Sequence, residues 1–363
     1  SGELSDEKIE RAGVILSGRK AKSIGSASRI SRALGTAAVL ILMLGIGVTA
    51  YPVYIHWSRG MEQSLPATGE EQIYAEDSGL SQAFPAEAAA AKAESSEESI
   101  LYDSAQAGSS TVNGVTISAE QTVIDRGTAR IALRIEGFEL PEGQYPDIGM
   151  NWSLTFDGER APAVTGGFVG EKDADGRLVY TAPDGSMEFD FFSGAGDSWA
   201  SFEGKEIRIV IDSLGCGDKG MYEPLVEGPW ELVWTPSVNS EVSCFRPDTD
   251  IGNTGIKLVS AEIAPVSAKV ILALPAYWDG YETLESYDLQ LAGVRLEDGT
   301  VLTDIFGYPI QEGYADIDNL LLELIYSSER ILRPGEVDEL LFAQGYPWTK
   351  PLSAEELIVV PVT

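Results

Sequence analysis

From Thr111 onward, apolar and polar residues alternate over short stretches, the period-two pattern of strands with one buried face. Thr111–Phe138, "TVNGVTISAEQTVIDRGTARIALRIEGF", opens the pattern, with Asn113–Gly114 and Asp125–Arg126–Gly127 as turn signals. Strands are predicted over Trp152–Phe156, Leu178–Thr181, Met187–Phe192, Ile207–Ile211 and Trp230–Trp234. Their number and spacing predict one β-sandwich over residues 111–237. Trp152, Trp230 and Trp234 lie in these strands and are expected in its core. Pro236–Asn253 reads as a linker or a long inter-domain loop, and a second β-rich block covers residues 248–363. There, "IKLVSAEIAPVSAKVILALP" predicts two strands about Pro265, and "YDLQLAGVRLEDGTVLT" a hairpin turning on Asp298–Gly299. Ile317–Tyr326 is apolar throughout and fits strand or helix equally; "LRPGEVDELLFAQGYPW" reads as a turn entering a strand, and Glu356–Val362 as the closing strand. The fold class expected is mainly β, two sandwiches in tandem.

Upstream, the pattern is different. Ala33–Ile55 is a run of 23 uncharged residues, long enough to cross a hydrocarbon core of about 30 Å as a helix. The expected division is a basic tail over 1–33, a transmembrane helix over 34–55, and a membrane-proximal segment over 56–110. Leu34, Leu40, Leu44, Val48, Tyr51 and Trp57 mark the expected membrane anchor, with Tyr51, Tyr54 and Trp57 gathered at its far end, where amphipathic rings prefer the headgroup layer. Arg19, Lys20, Lys22, Arg29 and Arg32 precede the run without an intervening acid, which orients the N-terminus to the cytoplasm and the C-terminal domains outside. Val48–Thr49–Ala50 also fits a small-x-small cleavage site after Ala50, so a secretory signal is the alternative; both readings export the rest. Ser5–Ser17 suits one short amphipathic helix capped by Ser5. After the run, Gly60–Leu80 predicts a short helix, a break at Pro66, and a second helix from Thr68 with Glu71 completing a capping box and Gly79 as its stop. Ser81–Ser110, rich in Ala, Ser and Glu, reads as a spacer lifting the domains off the membrane.

Charge sharpens this topology. Of 57 acidic and 25 basic side chains, residues 1–33 hold four and seven, so the exported part holds 53 acidic against 18 basic side chains and carries about all of the acidity behind the net charge of -32. Such a surface repels phosphate backbones and excludes an ordinary nucleic-acid binder. The single histidine, His56, lies beside the apolar run and outside both β blocks, which excludes a Ser-His-Asp or Cys-His arrangement and disfavours a His-rich zinc site in the exported part. A carboxylate pair of the glycosidase kind has too many candidates to single one out, so the protein is expected not to be an enzyme.

The remaining chemistry is sparse. Cys216 and Cys244, 28 residues apart, sit in loop-like contexts and are a candidate disulfide, worth about 3 kcal/mol in the loop-entropy picture; two unpaired thiols are the equal alternative. No cofactor is expected, with calcium as the weak exception at Glu171–Gly176 and Asp248–Gly252, where carboxylates alternate near a glycine; ordinary solvated turns are the other reading. Trp199, Tyr277, Trp278 and Tyr281 are the better candidates for a flat glycan-binding platform.

Four features together resemble one family. They are the basic tail with its anchor, the following "WSRGMEQSLPATGEEQIYAEDSGL", the opening "VNGVTISAEQTVID" with the closing "GPWELVW" of the first block, and the "IKLVSAEIAP" that opens the second. They resemble the single-pass anti-sigma-factor-like membrane proteins of Gram-positive, especially clostridial, bacteria that carry an extracellular immunoglobulin-like domain of unknown function. The resemblance implies immunoglobulin-like sandwiches outside, a cell-membrane location, and envelope sensing in which a cytoplasmic tail restrains or releases a sigma factor. The tail departs from the pattern, for residues 1–33 contain no His or Cys to build a zinc-bearing helical module. Partners expected are the lipid bilayer, a cytoplasmic sigma factor and an envelope or extracellular ligand. The competing function is a membrane-tethered binding or adhesion module for a glycan, peptide or surface protein.

Overall fold

The computed structural model describes residues 57–83, 108–194, 202–218, 221–236, 240–275, 289–344, 353 and 355–362. All of them belong to one compact body, Ile55–Thr363. Two short helices come first, α1 (Arg59–Ser64) and α2 (Gly69–Asp77). The rest is mainly β, arranged in several sheets. Among the described residues no helix is long and apolar enough to cross a membrane.

The first β module begins with β1 (Ser81–Ala83), β2 (Ser109–Val112), β3 (Val115–Ile124), β4 (Thr128–Glu136) and β5 (Tyr145–Asp147). It continues through β6 (Trp152–Phe156), β7 (Glu159–Arg160), β8 (Val164–Phe168), β9 (Glu171–Lys172) and β10 (Leu178–Val179). β11 (Met187–Gly194), β12 (Ile207–Asp218) and β13 (Met221–Trp234) complete it. One sheet runs β1-β3-β4-β11-β8 with β2 also on β3; the other runs β13-β12-β6-β7 with β5 also on β12; β9 and β10 form a separate hairpin. The sheets share one apolar core: Ile131 and Phe189 from the first meet Leu154, Ile209 and Trp230 from the second. Trp230 and Trp234 are buried as expected, and half-buried Trp152 packs 5.1 Å from the Phe191 ring.

The second module holds β14 (Ser243–Phe245), β15 (Thr249–Asp250), β16 (Lys257–Ile263), β17 (Ser267–Ala273) and β18 (Leu289–Leu296). It ends with β19 (Val301–Thr303), β20 (Phe306–Asp316), β21 (Leu321–Ser328), β22 (Val337–Gln344) and β23 (Leu357–Pro361). Sheets β14-β16-β17-β21-β20 and β19-β18-β22-β23 enclose a core of their own. The ambiguous stretch before Tyr326 resolves to a turn and the strand β21.

Several expectations change. Trp57, expected among the interfacial rings, is 8% exposed, and its indole N–H donates to the Leu65 carbonyl at 3.2 Å, so its ring packs against protein. The stretch read as a spacer is anchored at both ends, because Ser81–Ala83 and Ser109–Val112 pair with β3; residues 84–107 lie outside the described residues. The stretch read as a linker contains β14 and β15, both paired with β16. Cys216 and Cys244 are free and lie in strands rather than loops, Cys216 buried on β12 of the first module and Cys244 exposed on β14 of the second.

Candidate functional site

The segment 57–80 fills a three-way junction. Trp57, Met61, Leu65, Ala75 and Leu80 pack against Val123 and Ala132 of the first module and Val266 and Ile331 of the second, as a small core separate from the other two. Helices this short are marginal alone in water, so their order depends on this docking. Local sequence still sets their ends: Ser58 caps α1, and Thr68 with Glu71 forms the reciprocal capping box of α2.

α1 lies on the outer face of the first sheet, which carries polar groups because strand side chains alternate. On β11, Phe189 and Phe191 enter the core, while Glu188, Asp190 and Phe192 point the other way. The Glu188 carboxylate, 3% exposed, accepts the backbone N–H of Arg59 at 3.2 Å and of Gly60 at 2.8 Å, and pairs with the Arg59 guanidinium at 3.5 Å. Gly60 sits directly on Asp190, and a β-carbon there would overlap the Asp190 carboxyl. Beside them, Gln121 accepts from the Ser58 N–H at 2.8 Å and donates to the Ser81 hydroxyl at 3.0 Å.

Two charged groups tie the modules together. Asp125, in the β3–β4 turn, is fully buried. It accepts from the N–H groups of Gly127 and Thr128 at 2.9 and 3.0 Å, and across the junction from Val266 N–H at 2.9 Å and the Ser267 hydroxyl at 2.8 Å. Burial pushes its carboxyl up, and these four donors pull against that shift. Arg130 donates through Nη1 to the Ser64 carbonyl at 3.1 Å, and through Nη2 to Ser327 Oγ at 3.1 Å and the Ser328 carbonyl at 3.3 Å. Its guanidinium stacks over Phe192, 5.2 Å from the ring centre. Arg330 extends the clamp, donating to Glu71 of α2 at 2.8 Å.

Under α1, a cavity of about 220 Å³ opens between Met61, Ser64, Arg130, Asp190, Phe192 and the Thr165–Gly167 edge of β8. Asp190 is largely buried, and its Oδ1 has no hydrogen-bond partner. Burial first, then the neighbouring Glu188, push its carboxyl up to about 8.

No family model matches the chain, and no curated protein matches it. Among solved structures, it is similar to a conserved domain protein from Bacillus anthracis at 14% identity, over 69% of this chain and 86% of that one, with a TM-score of 0.38. A likeness this loose fixes neither fold nor function.

None of the sequence-derived candidates belongs to this junction except Trp57. Arg19, Lys20, Lys22, Arg29, Arg32, Leu34, Leu40, Leu44, Val48, Tyr51 and His56 lie outside the described residues, as do Trp199, Tyr277, Trp278 and Tyr281. In the two acidic loops, Asp173 accepts from the N–H groups of Asp175 and Arg177 within its own turn, and Asp248 pairs with Lys257 at 3.3 Å. No group of three or more His, Cys, Asp or Glu among the described residues is placed to hold a metal ion. The residues that sequence reasoning missed are Asp125, Arg130, Glu188 and Asp190. Asp125 stood out only as a turn former, and the others as the solvent side of amphipathic strands.

Proposed function

We propose that this protein is a non-enzymatic, single-pass envelope sensor of the anti-sigma-factor-like kind, with two immunoglobulin-like sandwiches outside and a basic tail inside. The observation that carries the reading is the placement of Trp57. Two residues after an apolar run suited to a membrane helix, the chain is already built into the junction of two β modules. A simple tether needs only a flexible linker. Here a ligand that shifts one module against the other acts on α1 through Arg130, which holds Ser64 of α1 and Ser327 and Ser328 of the second module, and so on the chain next to the apolar run. That is a physical connection with two attachment points, which relay requires and adhesion does not.

The test is crosslinked affinity purification of the full-length membrane protein from its host, beside a copy lacking residues 1–31, with mass spectrometry of what each retains. A sigma factor recovered only with the intact tail supports the reading. The same result for both copies, with no transcription factor in either, overturns it. One observation favours the second function, a tethered binding module: exposed Tyr145 meets Tyr180 edge-on at 6.2 Å beside exposed Leu178, a surface suited to an extended or ring-shaped ligand. Wall glycan or peptide retained equally by both copies, and lost from a Tyr145→Ala variant, would favour it.

A further inference from the structure

The outer face of β11 carries an arrangement that relay alone does not need: two carboxyls, at positions i and i+2 of one strand, buried together beneath a helix. A solvent-facing strand keeps such a pair ionised and hydrated. Here α1 lies over both groups. Glu188 is committed to the N–H groups of Arg59 and Gly60 and to the Arg59 guanidinium. Asp190 lies against Gly60 with no room between them, and its buried Oδ1 has no hydrogen-bond partner next to the Glu188 carboxyl. We propose that the Glu188–Asp190 pair is a proton-held latch: α1 stays docked while the carboxyls share a proton, and loss of that proton drives it off the sheet. The inference deepens the proposed relay, supplying its control, and rests on α1 being the element that carries the connection.

The surroundings decide the direction. Facing Asp190 are Glu188 on its own strand, Glu120 on β3 and Arg130 on β4. The Arg130 guanidinium is a partial counter-charge, but its hydrogen bonds go to Ser64, Ser327 and Ser328, and Glu329 competes for its field. Arg59, the cation on α1, pairs with Glu188 and reaches Glu171 at 3.9 Å. The β8 residues opposite, Thr165 to Gly167, carry no charge. Ionised Asp190 therefore meets a fixed anion at close range, with its nearest cation already shared.

The sign follows by linkage. Asp190 is raised when docked, and when α1 is released it returns toward the ordinary aspartate value of about 4. The docked form binds the proton more tightly, so from about pH 4 docking weakens by up to roughly tenfold per pH unit as pH rises, and levels off above the docked value near 8. Alkaline conditions release α1; acid conditions hold it.

Hydrogen exchange with mass spectrometry on the full-length protein in lipid nanodiscs, from pH 5 to 9, tests this. Rates for a peptide over residues 57–65 are divided by the intrinsic chemical rate at each pH, and a peptide over residues 207–211 of the core strand β12 is the control. The expected result is protection of 57–65 that falls between pH 5 and 8 and flattens beyond, while the control stays constant. In Asp190→Asn, whose amide imitates the protonated acid, the fall is absent. A flat wild-type profile, or a slope unchanged in Asp190→Asn, overturns the latch. Should the control peptide report that Asp190→Asn is unfolded, Glu188→Gln decides instead: with the neighbouring anion gone, the falling limb ends at lower pH, and an unshifted limb overturns the proposal. These outcomes are separate from sigma-factor capture, so the latch and the relay fail independently.

Discussion

Removal of the Asp125 side chain should loosen the two modules from each other. Its carboxylate serves five donors: the N–H groups of Gly127, Thr128 and Val266, and the hydroxyls of Thr128 and Ser267. In Asp125→Ala the hydroxyls can rotate to other acceptors, but the three amides cannot. Each buried donor left unpaired costs about 1–3 kcal/mol. Against that stands the relief of no longer burying a carboxylate, itself several kcal/mol, so the net loss expected is about 3–5 kcal/mol, the usual cost of removing one partner from a buried charged network. Asp125→Asn keeps the shape and one acceptor oxygen. Its NH2 must then confront either the Val266 N–H or the turn amides, which costs about 2 kcal/mol by the same reasoning.

The expected order of stability is therefore wild type, Asn, Ala, with the Ala variant melting roughly 10 °C lower. Thermal unfolding of the full chain, with exchange into peptides over 115–124 and 267–273, reads both the amount and the place. If the junction depends on Asp125, the two modules should lose their common transition, because Val266 and Ser267 belong to the second and Asp125 to the first. A single unchanged transition in Asp125→Ala, within 1 kcal/mol of wild type, would refute the reasoning and leave the Arg130 hydrogen bonds and the apolar contacts of Val266 and Ile331 to tie the modules.

Three further outcomes are expected. Gly60→Ala places a β-carbon on the Asp190 carboxyl, so α1 should lift and exchange over 57–65 should rise by at least tenfold while the β12 core is unchanged. Leu65→Ala opens a cavity in the junction core, where Leu65 is fully buried, and should cost about 2–5 kcal/mol by denaturant titration; a loss under 1 kcal/mol would mean that the segment contributes little to stability. Thiol labelling of the native protein without reductant should modify exposed Cys244 quickly and buried Cys216 only slowly or on unfolding, and recovery of a Cys216–Cys244 crosslinked peptide would contradict the structure.

How much of this could be read from the sequence depends on whether the signal was local. The β3–β4 hairpin, the Asp298–Gly299 turn and the capping box at Thr68–Glu71 announce themselves because alternation, turn residues and caps act within a few positions. The β12–β13 ladder was read as two short strands, since Gly215, Gly217, Pro224, Gly228 and Pro229 signal a loop. The strands in fact continue, with bulges beside Ser213 and Gly215. At Gly215 glycine is a packing requirement rather than a break, for a β-carbon would run into the Glu223 carbonyl of the paired strand. The junction was invisible for a different reason. "MEFDFF" alternates in the same way whether its acidic face meets water or a helix, and the helix that covers it lies 128 residues earlier.

That long reach also shapes how the junction can behave. α1 is too short to persist alone, so its order reports whether Glu188, Gln121 and Arg130 are all in place beneath it. Two of these anchors sit on the first module only, whereas Arg130 also holds Ser327 and Ser328 of the second. A shift between the modules would therefore strain Arg130 first and leave Glu188 engaged, while a change in protonation would act on Glu188 and Asp190 and leave the module contacts intact. The segment is thus held by anchors that answer to different perturbations, and it can unfold from its seat without either β core opening. Such a local, low-cost transition beside large stable cores is what a relay element needs, because the free energy a ligand or a proton supplies is a few kcal/mol and could not open the cores themselves.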